Sequence, residues 1–382
     1  MKILNIELNA FGSKDIKEAF IAEGHTFVDF LFAKKESTRN NPGEERRLTS
    51  TLRKETPDLV FSFNYFPIIS KVCNEEHIPY VSWVYDSPLV NLYSYTILNP
   101  CNTVYVFDRE LYMEFHRAGI GTIRYLPMAA NTERLDAIEK GAKLPYLYDI
   151  SFVGSLYTEF HNFFDRMISL SDYARGYLDG LMKGQMEVQG DNFIQECLEP
   201  VMDELSRALP MEPNADGVES REFLFAQYVI NRKITGLERP GLLQAIAKNH
   251  VVDLFTIDEK FSVPNLRNHG SVEPYEQAYE VFKQSKVNLN ITLRSIKSGI
   301  PLRCMDIMGS GGFLLSNFQS DFLDFFVPGK DFVYYESKED LLQKIDYYLR
   351  HEDEREEIAR SGHDRVAASH TFRHRVREMF RV

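Results

Sequence analysis

The segment GIPLRCMDIMGSGGFLLSN, Gly299 to Asn317, gathers residue types that can handle an anion. It follows KVNLNIT, an apolar stretch that reads as a strand. A helix starting near Pro301–Leu302 would aim its free N–H groups and positive dipole end beyond that strand. Proline in the first turn costs nothing, because its missing N–H has no helical partner there. With Ser298, Gly299 and Ile300 leading in, Arg294, Lys297 and Arg303 would add positive charge for a diphosphate. Asp306 lies just over one turn inside the helix, where a carboxylate can accept from both hydroxyls of a ribose. Gly309, Gly311 and Gly312 fit neither G-x-G-x-x-G nor the P-loop spacing. They read instead as a helix C-cap and a close-packed corner into the strand FLLSN.

A second candidate is Asp86 in WVYDSP, at the end of an apolar strand. A carboxylate among aromatic neighbours can have a raised pKa and act as a base. The same residue before Ser-Pro also reads as a plain turn initiator. Other polar or small residues at strand ends are Gly12 with Ser13, Asn64 with Tyr65, Gly154 with Ser155, and Gly270, Ser271 and Val272. In open parallel sheets ligands bind outside the carboxyl ends of strands, and small residues there let a ligand approach the backbone. Each of these turns, taken alone, is equally an ordinary corner.

The elements that must position these residues alternate. ILNIEL, TFVDFLF, PDLVFSFN, PYVSWVYD, NTVYVFD and TIRYLPM are short apolar strands separated by helical stretches. The rhythm restarts at YDISFVGS and resumes with VVDLFTI, LRNHGSV, KVNLNIT, FLLSN and DFVYYES. Such alternation indicates parallel sheets with helices on both faces. From about 163 to 249 the periodicity is helical, which fits either an insertion or a separate helical domain. The reading is α/β: two Rossmann-like, doubly wound domains, residues 1–147 and 148–365. The second carries the insertion, and a C-terminal helix, 366–382, packs back on the first.

Composition narrows the function classes. The 382 residues carry a formal net charge of −12, which disfavours nucleic acid as a partner. The longest basic cluster, HTFRHRVREMFR, reads as an amphipathic helix. Cys73, Cys101, Cys197 and Cys304 show no C-x-x-C spacing, so neither a zinc site nor a disulfide framework is expected. No stretch reaches the roughly 18 apolar residues of a membrane-spanning helix, and the start MKILNIELNAFG reads as a strand rather than a signal peptide. The expected compartment is the cytoplasm.

From KVNLNIT through HTFRHRV, and again at IPYVSWVYDSP, the sequence resembles the spore-maturation CgeB-like glycosyltransferases of the GT-B fold. The resemblance spans most of the chain and is weakest over the helical insertion. It implies a nucleotide-sugar donor, expected to be UDP-linked, bound mainly by the second domain, with no further cofactor and no metal. Gly154–Ser155 would lie near the phosphates and Gly270–Val272 near the base. The acceptor, a protein or glycan, would be held by the first domain beside Gly12, Ser13, Asn64 and Tyr65. Many retaining relatives carry two glutamates eight positions apart here. The second falls on Asp306, which keeps the charge; the first falls on Ser298, which does not. The stereochemical outcome therefore stays open, with Asp86 as the base if the reaction inverts. An epimerase or hydrolase acting on the donor alone, and a non-catalytic nucleotide-sugar-binding protein, are the alternatives.

Overall fold

The computed structural model describes residues 1–8, 10–32, 38–137, 144–158 and 162–380. Two parallel six-stranded sheets carry the fold. The first comprises β1 (Lys2–Glu7), β2 (Thr26–Leu31), β3 (Leu59–Phe63), β4 (Tyr80–Val84), β5 (Asn102–Val106) and β6 (Ile123–Tyr125). Its order is β2-β1-β3-β4-β5-β6. The second comprises β7 (Tyr148–Val153), β8 (Val252–Phe255), β9 (Leu266–Asn268), β10 (Ser285–Asn290), β11 (Leu314–Asn317) and β12 (Val333–Tyr335), in the order β12-β11-β10-β7-β8-β9. Every residue of β3, β4 and β8 is buried, as expected where helices cover both faces. The direction of winding reverses between β1 and β3 and between β7 and β10. Crevices open at the carboxyl ends of such strand pairs.

The chain divides into two compact units, Met1–Met128 with Pro213–Glu219 and Thr371–Val382, and Ala129–Glu212 with Ser220–His370. The division falls at Met128 rather than at residue 147. Ala130 already belongs to the second unit: its N–H donates to the His370 carbonyl (3.1 Å), and its methyl sits against Gly309. The segment Pro213–Glu219, part of the expected insertion, is instead a piece of the first unit. Asp216 pairs with Arg39 (2.8 Å) and accepts from Ser94 Oγ (2.9 Å), and Gly217 forms an antiparallel bridge with Ser94.

The rest of the insertion has its own apolar core, built on Leu178, Met182, Leu198, Phe225 and Ile234. The helix Asn231–Ala247 runs on from it, and Leu242, Leu243, Ile246 and Ala247 join the core of the second sheet. One helix thus belongs to two cores, so the insertion is continuous with the sheet that carries it.

The basic C-terminal cluster is consumed inside the first unit. Thr371 caps the helix Phe372–Met379. Arg375, 2% exposed, donates to the carbonyls of Pro127 and Met128. Glu23 accepts from Arg373 (3.0 Å) and Arg377 (2.9 Å). The bond from Arg377 holds the Glu23 carboxyl below its ordinary 4.5. A carboxylate depressed in this way adds stability above its unfolded pKa and loses it as pH falls through the folded value. Glu23→Gln is expected to lower thermal stability by at most about 1 kcal/mol at pH 7. In melting curves taken between pH 7 and pH 3, the gap from wild type should close below its unfolded pKa of about 4.5.

Candidate functional site

The crevice of the second unit starts at the end of β7. There Gly154 adopts φ of +157°, a conformation that strains other residues. Its N–H donates to the Phe255 carbonyl (2.9 Å), and the carbonyl of Ser155, the next residue, accepts from a side-chain donor. That donor is Arg239 Nη1 (2.6 Å). Arg239 Nε also donates to the Ile291 carbonyl, just past β10 (2.9 Å). One guanidinium therefore bridges the carboxyl ends of the two strands that flank the reversal of winding. It is 9% exposed and lies over the rings of Phe152 and Tyr157.

Arg303 reaches the same place from the helix Leu302–Gly309, donating to the Val153 carbonyl and lying over Phe282. Burial pushes the pKa of both guanidiniums down, and Arg303 pushes that of Arg239 down further. The pair favours an anion beside it, although the Asp306 carboxylate offsets part of the charge at Arg303 and Glu238 part of that at Arg239. The helix itself begins at Leu302 with Pro301 at its N-cap and no side chain capping it, so its N-terminal N–H groups add to that field.

Asp306 stands on this helix, half-buried. Tyr279 Oη donates to Asp306 Oδ1 (3.3 Å), and the Arg134 guanidinium lies over the Tyr279 ring at 4.8 Å. Arg134 also donates to the Tyr275 carbonyl (2.8 Å). The following glycines form the corner: Gly311 is left-handed, and a Cβ on Gly312 would meet the Phe282 carbonyl at 3.0 Å and Asn288 at 2.8 Å.

Arg294 is not available to a diphosphate, contrary to the sequence expectation. It is 8% exposed and forms a two-pronged ion pair with Glu238, Nε to Oε2 at 2.8 Å. Its Nη1 donates to the Val188 carbonyl (2.8 Å). Its role is to fasten the loop before Pro301 onto the insertion, where Thr235 Oγ1 also accepts from Arg294 N–H (3.1 Å). Along that loop Ser298, Gly299 and Ile300 are buried, and Ser298 C=O accepts from Asp321 N–H (3.2 Å). Lys297 is half-buried beside them. Past β9, Gly270 N–H donates to Asn268 Oδ1 (3.1 Å), Ser271 is exposed and Val272 half-buried. His269 stacks on Phe255 and contacts the buried Asp253 at 2.7 Å.

In the first unit, Asn64 and Asp86 meet. Asn64 sits in the left-handed region and its Oδ1 accepts from the N–H groups of Tyr85 and Asp86 (3.2 Å each). Its Nδ2 donates to Asp86 Oδ2 (2.8 Å). The end of β3 thereby fixes the carboxylate at the end of β4, while Asp86 stays exposed. Gly12 caps the helix Ser13–Ala22, with Ser13 half-buried, and the Phe372 ring packs against Gly12. Tyr65 differs from the expectation of a substrate-facing residue. It is 0% exposed and stacked on Tyr80, its hydroxyl donates to Thr96 Oγ1 (2.9 Å), and burial pushes its pKa up to about 12.

Arg239, Arg134 and Tyr279 border this candidate site and were not singled out in the sequence. The i, i+4 tyrosines of YEQAYEVFK were a usable signal for one face beside the helix of Asp306. Among the described residues no three His, Cys, Asp or Glu side chains converge in a metal-binding arrangement. No described helix is long and apolar enough to cross a membrane.

Residues 238–381 match a family model described as glycosyl transferase-like, and the match takes in Arg239, Arg294, Arg303 and Asp306. The fold is similar to that of a sucrose-phosphate synthase from Thermosynechococcus elongatus, with a TM-score of 0.55 and 11% identity over 100% of this chain and 98% of the other. It is also similar to Anabaena HepE solved with UDP-glucose, with a TM-score of 0.51 and 9% identity over 99% and 98% of the two chains. HepE with UDP and glucose gives a TM-score of 0.50 at 10% identity over 99% of each chain. No curated protein matches the chain in sequence. The architecture is that of the GT-B fold.

Proposed function

We propose that this protein is a glycosyltransferase that moves a sugar from a nucleotide-sugar donor to a hydroxyl of a protein or glycan acceptor. The observation that carries the reading is the pair Arg239 and Arg303 at the carboxyl ends of β7 and β10. They form a fixed positive field next to a carboxylate suited to a ribose. The glycosyl transferase-like match over the same residues supports it. The uridine nucleotides held by the Anabaena protein make a UDP-sugar the first donor to try.

In the proposed reaction the acceptor oxygen bonds to the sugar's anomeric carbon as the bond from that carbon to the diphosphate oxygen breaks. The electron pair leaves with the diphosphate. Arg239, Arg303 and the helix start at Leu302 receive that charge without having to reorganise, and the transfer uses no metal. Asp306 holds the ribose hydroxyls, with Tyr279 fixing one of its oxygens. The first unit receives the acceptor. If the anomeric centre inverts, Asp86 takes the acceptor proton; if it is retained, the departing phosphate takes it.

The test is an assay of the purified protein with UDP-, GDP- and dTDP-sugars, with and without EDTA, and calorimetry for each nucleotide. Neither turnover nor binding with any donor would overturn the proposal. Donor breakdown that needs no acceptor would reassign the protein as a hydrolase or epimerase. Asp306→Asn should raise the donor KM about 10- to 100-fold, from the loss of charged hydrogen bonds of about 1.5–3 kcal/mol, with kcat nearly unchanged. Initial rates over a donor series check this.

A further inference from the structure

A diphosphate beside Arg239 and Arg303 can extend its nucleoside toward β11 or toward β8 and β9. The loop after β10 closes the β11 side. Thr292 N–H donates to Asn317 Oδ1 (2.8 Å), Asp321 N–H donates to the Ser298 carbonyl (3.2 Å), and residues 298–300 are buried. The β8 side is open: Ile257, two residues past Phe255, is 55% exposed, and Ser271, two residues past His269, is exposed.

On that side stands a histidine whose ring is fixed. His269 Nε2 lies 2.7 Å from Oδ1 of Asp253, which is 2% exposed, and the ring stacks on Phe255 with centroids 4.6 Å apart. A buried carboxylate is costly, and this one orients an exposed ring. The carboxylate accepts the Nε2 proton, so in the neutral ring Nδ1 carries a bare lone pair. Among the described residues nothing bonds to Nδ1, and 36% of the side chain is exposed.

Register places this ring on the side of the sheet that carries Asp306. Asp253 pairs with Ser151, and Ser151 with Asn288. Ser151 Oγ donates to Asn288 Oδ1 (3.2 Å), and Asn288 Nδ2 donates to the Phe282 carbonyl (3.0 Å) in the helix Gln277–Lys283. Residues paired across parallel strands share a face, as do residues two apart on one strand. Arg267 pairs with Asp253, so His269 falls on the face covered by the helix of Tyr279, the partner of Asp306. Val153, whose carbonyl accepts from Arg303, pairs with Phe255. From Val153 to His269 is two strand spacings, about 10 Å. That is the reach from a diphosphate across a ribose to the far edge of a base.

We propose that His269 selects the base of the nucleotide: Nδ1 accepts from the ring N–H of uracil or thymine and rejects cytosine, whose corresponding nitrogen is itself an acceptor. Ile257 gives the base an apolar wall. Given the nucleotide-sugar donor proposed above, on which this assignment rests, UDP- and dTDP-sugars are favoured over CDP-sugars.

Calorimetry on the full chain at pH 8, where an ordinary imidazole is neutral, compares UDP, CDP, 3-methyl-UDP and inorganic pyrophosphate. UDP should bind about 10- to 100-fold tighter than CDP, the scale of one hydrogen bond exchanged for an unpaired acceptor. 3-Methyl-UDP, which lacks only the proton that Nδ1 would receive, should bind as weakly as CDP to the unaltered chain. His269→Phe keeps a ring on Phe255 and removes both nitrogens. It should abolish the preference for UDP over CDP and leave pyrophosphate affinity as in wild type. Equal binding of UDP and CDP, equal binding of UDP and 3-methyl-UDP, or a preference that survives His269→Phe would each overturn this assignment alone. No binding of any nucleotide or of pyrophosphate would overturn the donor reading and this assignment with it.

Discussion

Replacing Arg239 with methionine is expected to lower kcat/KM for sugar transfer by about 10²–10³, the scale of losing one preorganised donor to developing charge. It should also weaken UDP binding in calorimetry. Methionine fills much of the same volume but leaves the carbonyls of Ser155 and Ile291 without their donor. Each unsatisfied buried group costs about 1–3 kcal/mol, so melting temperature falls as well. Arg239→Lys separates the two effects. It keeps a positive charge in the crevice but cannot span both strand ends with a planar fork. Part of the UDP affinity should return with lysine while the melting temperature stays depressed. If both variants bind UDP and turn over like wild type, the guanidinium is only a brace between β7 and β10.

The second large effect belongs to Asp86. If the reaction inverts, Asp86→Asn should reduce kcat by about 10²–10⁴, the range for losing a general base. The substitution is nearly isosteric, and Asn64 still has its oxygen to accept from the N–H groups of residues 85 and 86. Loss of rate would therefore report chemistry more than shape. Asn64→Ala is the companion variant. It removes the 2.8 Å donor to Asp86 Oδ2 and should lower kcat less than Asp86→Asn. Product stereochemistry read by NMR completes the assignment. Retention with full activity in Asp86→Asn would leave this residue outside the proton transfer.

What the sequence made legible follows from what burial does to composition. β3, β4 and β8 are buried on both faces, so they stand out as continuous apolar runs between polar turns. The helix start at Leu302 was legible because proline marks a first turn by its own covalent geometry. Arginines were the weak point. Arg294 lies beside the loop that leads to the crevice, yet its charge is answered by Glu238, 56 positions away. Arg239 lies in an unremarkable ERPG and reaches the crevice only because helix 231–247 packs across the second sheet. Which of two nearby cations forms the two-pronged ion pair with Glu238 is a tertiary fact, and spacing along the chain does not encode it. Tyr65 failed for a similar reason. A tyrosine after a strand looks accessible until Tyr80 and Thr96, both distant in sequence, close over it.

The shared helix also orders the fold in time. β11 pairs with β10 and with β12 across short separations in sequence, as Asn288 does with Leu314. β7 must wait for β8, whose Val252 pairs with Ile150 about a hundred residues earlier. At ordinary synthesis rates that gap lasts about 5–20 s on the ribosome. Throughout it the central strand of the second sheet has neither neighbour, since β10 emerges later still. Closing so long a loop carries an entropic cost that only the completed pairing offsets. The insertion can collapse onto its own core during the wait, which shortens the loop that remains to be closed. On the nascent chain, helix 231–247 is then the splint that delivers β8 to a strand made long before it.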